Sequence, residues 1–280
     1  MRVVLVIALA IAPACSLFVS LDDLRGDDAS LDATGDAPPD VMMAGDAVVD
    51  AAVDAATDAT DAGGFCAMHP GVQLCDDFDT PDALAFASWS TVVENNGGSV
   101  SLIASDDSPP NAVHFHDPAG DGGPDPQCEL NKSFLTSATT SMTYQFDIRV
   151  ETYPTSGAIS FNPIKPDLSN GHQIFFSLNA STAAYAELID LSDGGTFYNQ
   201  WTLSQRPTPN VWMHVEVDIT IAAPLTVTIY LDNTLAMPAD TPLDPRFTAG
   251  MPLATAGITF INTGVTPAIV DVDNVLFDFH

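Results

Sequence analysis

The stretch "WMHVEVDITI", from Trp212 to Ile221, alternates strictly between apolar and polar side chains after its first residue. One face carries Met213, Val215, Val217, Ile219 and Ile221, and the other carries His214, Glu216, Asp218 and Thr220. A period of two residues is typical of a β-strand with one face against a core and the other toward solvent. This segment therefore predicts a half-buried strand of an antiparallel sheet.

Further segments on both sides of this strand have the same character. Each is short, rich in β-branched or aromatic residues, and mostly bounded by Gly, Pro, Asn or Asp. They are residues 99–105, 112–117, 143–151, 158–164, 173–179, 183–191, 196–203, 225–233, 256–263 and 268–279. The chain shows no amphipathic helix pattern longer than two turns. Residues 65–280 are therefore predicted to form an all-β, antiparallel jelly-roll sandwich.

Four segments of this region resemble one family. "VWMHVEVDIT" followed by "LTVTIYLDNTL" resembles the concanavalin A-like, laminin-G-like fold, with Asn233 where the family usually has Gly at a hairpin turn. "LCDDFDTPDALAFASW" and "VDVDNVLFDF" resemble its first and last strands. The resemblance covers roughly residues 74–280. It implies that the first and last strands pair side by side, and that the domain is a lectin-like β-sandwich.

The charge of the chain excludes some partners. It has 7 Lys or Arg against 37 Asp or Glu, for a net charge of −30. Such a surface repels nucleic acid and anionic lipid headgroups, so neither is an expected partner.

The N-terminus predicts where the protein resides. Residues 1–14 have one positive charge, Arg2, and then an apolar run too short to span a bilayer, as in a secretory signal peptide. The following "APAC" resembles a bacterial lipoprotein signal, which implies that Cys15 carries a lipid anchor to the membrane. Ser16, in place of Asp, favours the outer membrane of a bacterial cell envelope. The alternative is an ordinary cleaved signal with an incidental cysteine.

Residues 15–64 contain aspartates at a spacing of mostly four residues, on a background of Ala, Val, Thr and Gly. On a helix these like charges would stack on one face, and Asp is a poor helix former. The segment is therefore predicted to be a disordered acidic linker that holds the domain away from the membrane.

Cysteine spacing predicts one disulfide. In "CAMHPGVQLC", a two-residue turn at Pro70-Gly71 would place Cys66 opposite Cys75 in a non-hydrogen-bonded pair, where side chains approach closely. Pro-Gly suits hairpins poorly, so a looser register is the alternative. We expect a Cys66–Cys75 disulfide and a free Cys128.

The catalytic motif of the family is incomplete in this chain. Laminarinase-type glycosidases of this fold carry Glu-x-Asp-x-(x)-Glu, and their two-carboxylate mechanism needs both glutamates. Here Glu216 and Asp218 are present, but Thr220 and Ile221 occupy the last position. His114 and His116 share a strand face, without an identifiable third metal ligand. The incomplete motif argues against a laminarinase-type glycosidase but leaves open whether the domain is an enzyme.

Three functions remain open at this level. The main hypothesis is a surface-tethered lipoprotein that binds a polysaccharide or other glycan, with Tyr198, Gln200 and Trp201 as candidate ligand-binding residues. The alternatives are a structural or adhesive envelope protein that binds another protein, and a divergent polysaccharide hydrolase or lyase. Periodicity does not show which face of residues 196–203 enters the core.

The family resemblance also implies a structural calcium ion where the first and last strands meet. Asp273 occupies the closing-strand position, and Asp77 and Asp79 lie two residues apart on one face of the first strand, which would direct both toward the same ion. Calcium takes six to eight oxygen ligands, which carboxylates and carbonyls supply. The alternative is that the aspartates near the first strand are solvated edge residues.

Overall fold

The computed structural model describes residues 64–80, 84–105, 109–118, 127–135, 139–153, 158–167, 169, 171–179, 184–190, 198–261 and 267–280. The chain divides into two units, Met1–Asp54 and Ala55–His280, and all described residues belong to the second. The signal peptide, Cys15 and the predicted acidic linker lie outside the described residues. Among the residues described, no helix is long and apolar enough to cross a membrane.

The described chain is almost entirely β-strand, as predicted. One short helix, α1 (Phe65–Met68), precedes sixteen strands. These are β1 (Leu74–Asp76), β2 (Thr91–Asn95), β3 (Ser99–Ala104), β4 (Asn111–Asp117), β5 (Gln127–Ser133), β6 (Ser141–Thr152), β7 (Ala158–Lys165), β8 (His172–Asn179), β9 (Ala184–Asp190), β10 (Tyr198–Thr202), β11 (Trp212–Thr220), β12 (Thr226–Leu231), β13 (Thr234–Leu235), β14 (Thr241–Pro242), β15 (Leu253–Ile261) and β16 (Ala268–Phe279).

The strands form two antiparallel sheets that pack face to face. The nine-stranded sheet has the order β13-β12-β11-β6-β16-β4-β3, with β1 against β16 and β14 against β12. The seven-stranded sheet has the order β10-β9-β8-β7-β15-β5-β2. The first and last strands pair, with Leu74 opposite Phe277, which confirms the pairing that the family resemblance implied. The all-β, antiparallel jelly-roll prediction is therefore confirmed.

The core lies between the two sheets. The apolar face of β11 enters it as predicted, with Met213, Val215 and Val217 buried. Rings from both sheets meet there, since Phe146 of β6 packs edge to face with Phe176 of β8. The hydroxyl of Tyr144 donates a hydrogen bond to the Thr255 carbonyl across the sandwich, at 2.8 Å. This bond satisfies the one polar atom of a fully buried ring.

The Cys66–Cys75 disulfide is present, with the two Cα atoms 5.5 Å apart, and Cys128 is free and buried. The hairpin from which it was predicted is wrong. Cys66 lies in α1, and only Cys75 lies on a strand. The helical turn brings Cys66 beside β1 without the two-residue hairpin, in keeping with the poor fit of Pro-Gly to hairpin turns.

Candidate functional site

The outer face of the seven-stranded sheet carries a set of polar side chains that we call the polar floor. Their positions alternate with those of core residues such as Phe161, Ile174 and Ala256. Four of them are at most 5% exposed, although they point away from the inter-sheet core. This part of the face is therefore sunken rather than freely solvated. The polar floor consists of Glu129, Asn131, Ser160, Gln173, Ser177, Thr255 and Thr259.

Hydrogen bonds hold the carboxylate of the polar floor in place. Glu129 accepts one bond from the Asn131 amide, at 3.0 Å, and one from the Thr259 hydroxyl, at 3.1 Å. Asn131 in turn accepts a bond from the Thr255 hydroxyl, at 2.7 Å. Each carboxylate oxygen can accept a further hydrogen bond, so Glu129 is oriented but still able to bind a ligand hydroxyl or take up a proton.

Neutral groups continue the polar floor toward β8. The Ser160 and Ser177 hydroxyls are hydrogen-bonded to each other at 2.7 Å, and Gln173 is almost fully buried. Phe175 shares the face of Gln173 and Ser177 by strand alternation, and it is also buried. Hydroxyl and amide groups on one surface are the groups that bind sugar hydroxyls.

One cation lies on the same outer face. Lys165 pairs with Leu253 across β7 and β15, one position beyond the buried core pair Ile164 and Ala254. It has no ion pair or hydrogen bond with any residue that the structure describes. By contrast, Arg149 and Arg246 are bound to carboxylates, Lys132 donates to the Ser88 carbonyl, and Arg206 lies over the Tyr153 ring. Among the lysine and arginine side chains that the structure describes, Lys165 is therefore the one available to bind an anionic ligand.

The three residues predicted to bind a ligand lie on β10, at the end of the strand order of the seven-stranded sheet. Gln200 is exposed, whereas Trp201 is partly buried and packs against the hydrophobic core. The side chain of Tyr198 lies outside the described residues. Glu129 and Asn131 of the polar floor were missed because their strand, β5, was not predicted. Its sequence, "QCELNKS", has only two apolar residues, although these alternate with polar ones.

The outer face of the nine-stranded sheet carries a charged cluster. Asp271 accepts a bond from the Arg149 Nε, at 2.9 Å, and contacts the His114 Nδ1 at 2.7 Å. The hydrogen bond to Asp271 raises the pKa of His114. His114, Glu151 and Asp271 have donor atoms within 4.8 Å of one another, so His114 has carboxylate neighbours that its spacing from His116 did not predict. However, Arg149 already contacts both carboxylates and supplies their positive charge.

The Glu216 and Asp218 pair lies on β11, in the nine-stranded sheet and thus on the opposite side of the sandwich from the polar floor. Asp218 accepts a hydrogen bond from Thr143 at 2.7 Å. Neighbouring positions in the register hold Tyr230, Gln145, Thr143 and Thr228, so none of them supplies the missing carboxylate of a glycosidase.

The predicted calcium site centres on Asp273. Asp273 is fully buried and accepts bonds from the Asn274 N–H and the Ser105 hydroxyl. Burial, together with the nearby negative charges of Asp147 and Asp79, raises its pKa to about 8. Calcium prefers oxygen ligands such as carboxylates. Among the described residues, however, only His114, Glu151 and Asp271 bring three possible ligand atoms within 4.8 Å of one another, so a calcium ion at Asp273 stays a prediction.

Asp77 and Asp79 do not share a strand face. Strand β1 ends at Asp76, and Phe78 adopts a left-handed φ of 56°, so the chain turns between the two carboxylates. Asp77 accepts a bond from the Cys66 N–H, at 3.4 Å. Asp76 is not a solvated edge residue either. It is buried and accepts bonds from the Phe78 N–H and the Trp89 indole, which fixes the turn after β1.

Comparisons with known proteins show the fold. No protein-family model and no curated protein matches the chain. Among solved structures, the endo-β-1,4-glucuronan lyase of the fungus Trichoderma reesei matches with a TM-score of 0.58 and 12% identity, over 75% of this chain and 96% of that one. The cellulose-induced protein Cip1 matches with a TM-score of 0.52 and 16% identity, over 73% of this chain and 96% of that one. At these identities the likeness concerns the architecture alone.

Proposed function

We propose that this domain acts on polysaccharides at the polar floor, as a divergent polysaccharide lyase. The observation that carries the proposal is the oriented Glu129, bonded to Asn131 and Thr259, on the same outer face as Lys165, which has no ion pair with a described residue. The shared architecture with a glucuronan lyase supports this alternative over the purely lectin-like one.

The chemistry of a lyase requires groups of these types. A base removes the proton from the carbon next to a uronate carboxylate, the bond to the glycosidic oxygen breaks, and a double bond forms. The departing oxygen then takes up a proton. Glu129 is the proton acceptor among the described polar floor residues. Lys165 and the Gln173 amide would bind the substrate carboxylate, which makes the neighbouring proton easier to remove.

Binding without cleavage is the second candidate. Among the described polar floor side chains only Glu129 carries a carboxylate, and both of its oxygens already accept a hydrogen bond from a neighbouring side chain. Neutral amides and hydroxyls otherwise dominate this surface. Such a surface binds glycans without needing to transform them.

One experiment separates these candidates. The full chain is incubated with glucuronan, alginate and a neutral glucan, and both binding and the ultraviolet absorbance of unsaturated uronate ends are measured. A lyase produces absorbance from a polyuronate, and Glu129→Gln abolishes it while binding remains. Lys165→Gln should weaken polyuronate binding roughly tenfold, the effect of one charge-assisted hydrogen bond. Binding without absorbance supports the second candidate, and neither signal contradicts both.

The cellular setting is a further part of the proposal. A lipid on Cys15 would hold the protein at the outer membrane of a bacterial envelope, and the acidic segment before Gly64 would separate the domain from the membrane. A polysaccharide outside the cell or in the periplasm would then be within reach. This placement rests on the signal-like N-terminus alone.

A further inference from the structure

A pocket of about 210 Å³ opens on the outer face of the nine-stranded sheet, on the side of the sandwich opposite the polar floor. Glu216, Tyr230 and Asn233 line it. The register of the sheet places Gln145, Glu216, Tyr230 and Leu235 side by side across β6, β11, β12 and β13. An amide, a carboxylate, an aromatic ring and an exposed aliphatic side chain therefore form one continuous strip.

The turn after β12 brings the second amide to this strip. Asp232 and Asn233 both adopt left-handed backbone conformations, with φ of 47° and 59°, as in the tight turns that join two strands. Asp232 is held by the backbone of His214, whose N–H bonds the Asp232 carboxylate at 2.9 Å. Asn233 is exposed beside Tyr230 and is able to donate and accept hydrogen bonds there.

Within the part of the chain that the structure describes, the carboxylates at this pocket form no ion pair. Glu216 forms no ion pair with a described Lys, Arg or His, and neither does its neighbour Asp218. The nearest histidine, His214, is bonded to Asp147 at 2.7 Å. Partial burial and the proximity of Asp218 raise the pKa of Glu216, although the nearby His214 acts in the opposite direction.

We propose that this pocket is a second binding site, for a glycan that carries free amino groups. The ammonium group would bind Glu216, which would gain the positive partner that the fold does not supply. The sugar ring would lie against Tyr230 and the exposed Leu235, and its hydroxyls would bond Asn233 and Gln145. The amides and the apolar strip favour a sugar over a lysine side chain, whose only polar group is the ammonium.

The two surfaces therefore have opposite charge preferences. Lys165, on the seven-stranded sheet, suits an anionic chain, whereas Glu216, on the nine-stranded sheet, suits a cationic one. The second site stands on its own observations and does not depend on catalysis at Glu129.

Calorimetric titration of the full chain with a glucosamine tetramer tests the proposal, at a pH where the amines are protonated. The N-acetylated tetramer serves as the matched control ligand. We expect the amine form to bind at least tenfold more tightly. Glu216→Gln and Tyr230→Ala should each lower the affinity by roughly tenfold or more, since each removes a charge-assisted bond or a stacking surface.

Glu94→Gln is the control variant, because it removes one exposed charge on the seven-stranded sheet while keeping the oxygen that accepts the Val100 N–H. It should bind as the native chain does. Equal binding of the acetylated tetramer, or equal affinities of the Glu216→Gln and Glu94→Gln variants, would overturn the proposal. So would a lysine-rich peptide that binds the pocket as tightly as the amino sugar. Amino-glycan binding without any response to polyuronates would overturn the proposed function and leave this site standing.

Discussion

Asp117→Asn should make the free energy of unfolding less dependent on pH. Asp117 is fully buried at the end of β4, and the Cys128 thiol donates to its Oδ1 at 3.2 Å. Its Oδ2 has no partner among the described residues. Burial raises the pKa of Asp117 from its ordinary value of 3.8 to about 7. A buried carboxylate with one weak donor is costly to ionise.

The direction of the effect follows from proton binding. The unfolded chain releases the Asp117 proton near pH 3.8, whereas the folded domain holds it until about pH 7. The stabilisation is complete below the unfolded pKa and is lost as the pH rises toward the folded one. At about 1.4 kcal/mol for each pKa unit, the loss amounts to about 4 kcal/mol. Asparagine has the same shape and no charge, so the variant lacks this loss.

The assay is urea unfolding of the native chain and the variant, followed by tryptophan fluorescence at several pH values from 4 to 8. We expect the stability of Asp117→Asn relative to the native chain to rise by several kcal/mol over this range and then to level off. Other titrating groups, including Asp273, are present in both proteins and cancel in the difference. Asp240→Asn, at an exposed position, is the matched control. A difference between Asp117→Asn and the native chain that stays constant from pH 4 to pH 8 would refute the reasoning.

Three further predictions address other parts of the chain. The melting temperature of the full chain should be higher with calcium than with a chelator, because a ligand that binds only the folded state stabilises that state. The Asp273→Asn variant should lose this shift and the Asp77→Asn variant should keep it. A shift that survives Asp273→Asn would contradict a calcium site at Asp273. Gly98→Ala should destabilise the domain by roughly 1–3 kcal/mol in urea unfolding, since a Cβ there would collide with the Gln127 carbonyl and lie 2.7 Å from the Asp117 Oδ1. An unchanged unfolding midpoint would show that this corner of the sandwich can adjust. Cys15→Ser should move the protein from the membrane fraction to the soluble fraction on immunoblotting, because the lipid would be absent, and unchanged partitioning would favour the alternative of an ordinary cleaved signal.

The strand pattern was predictable where one face of a strand enters the core. β11 and β16 lie almost where the sequence placed them, because Met213, Val215 and Val217 alternate with polar residues and because β16 is a long β-branched run. β2 and β5 were missed. β2 has exposed or half-exposed residues throughout, and β5 has only Cys128 and Leu130 as core residues, so neither has a strong apolar period.

The disulfide pairing was predicted correctly from the wrong local structure. Cys66 and Cys75 are only nine residues apart, so the intervening chain keeps them close in space. The helical turn of α1 therefore allows the same disulfide that a hairpin would allow. The role of Asp76 was not predictable, because its partners Ser88 and Trp89 lie in a separate loop.

The sequence by itself determined the all-β class, the pairing of the two cysteines and the absence of a complete glycosidase motif. These three properties depend on the hydrophobic period, the spacing of the cysteines and the identity of the residues within short stretches of sequence. Only the tertiary structure decided which residues meet on each outer face. Glu129 meets Thr259 across β5 and β15, and Glu216 meets Tyr230 across β11 and β12. Strand order and register set these meetings, and both arise from packing two sheets over one core. Alternation along a strand shows that a side chain faces away from its neighbours in sequence. The alternation does not show which other strand pairs with that strand.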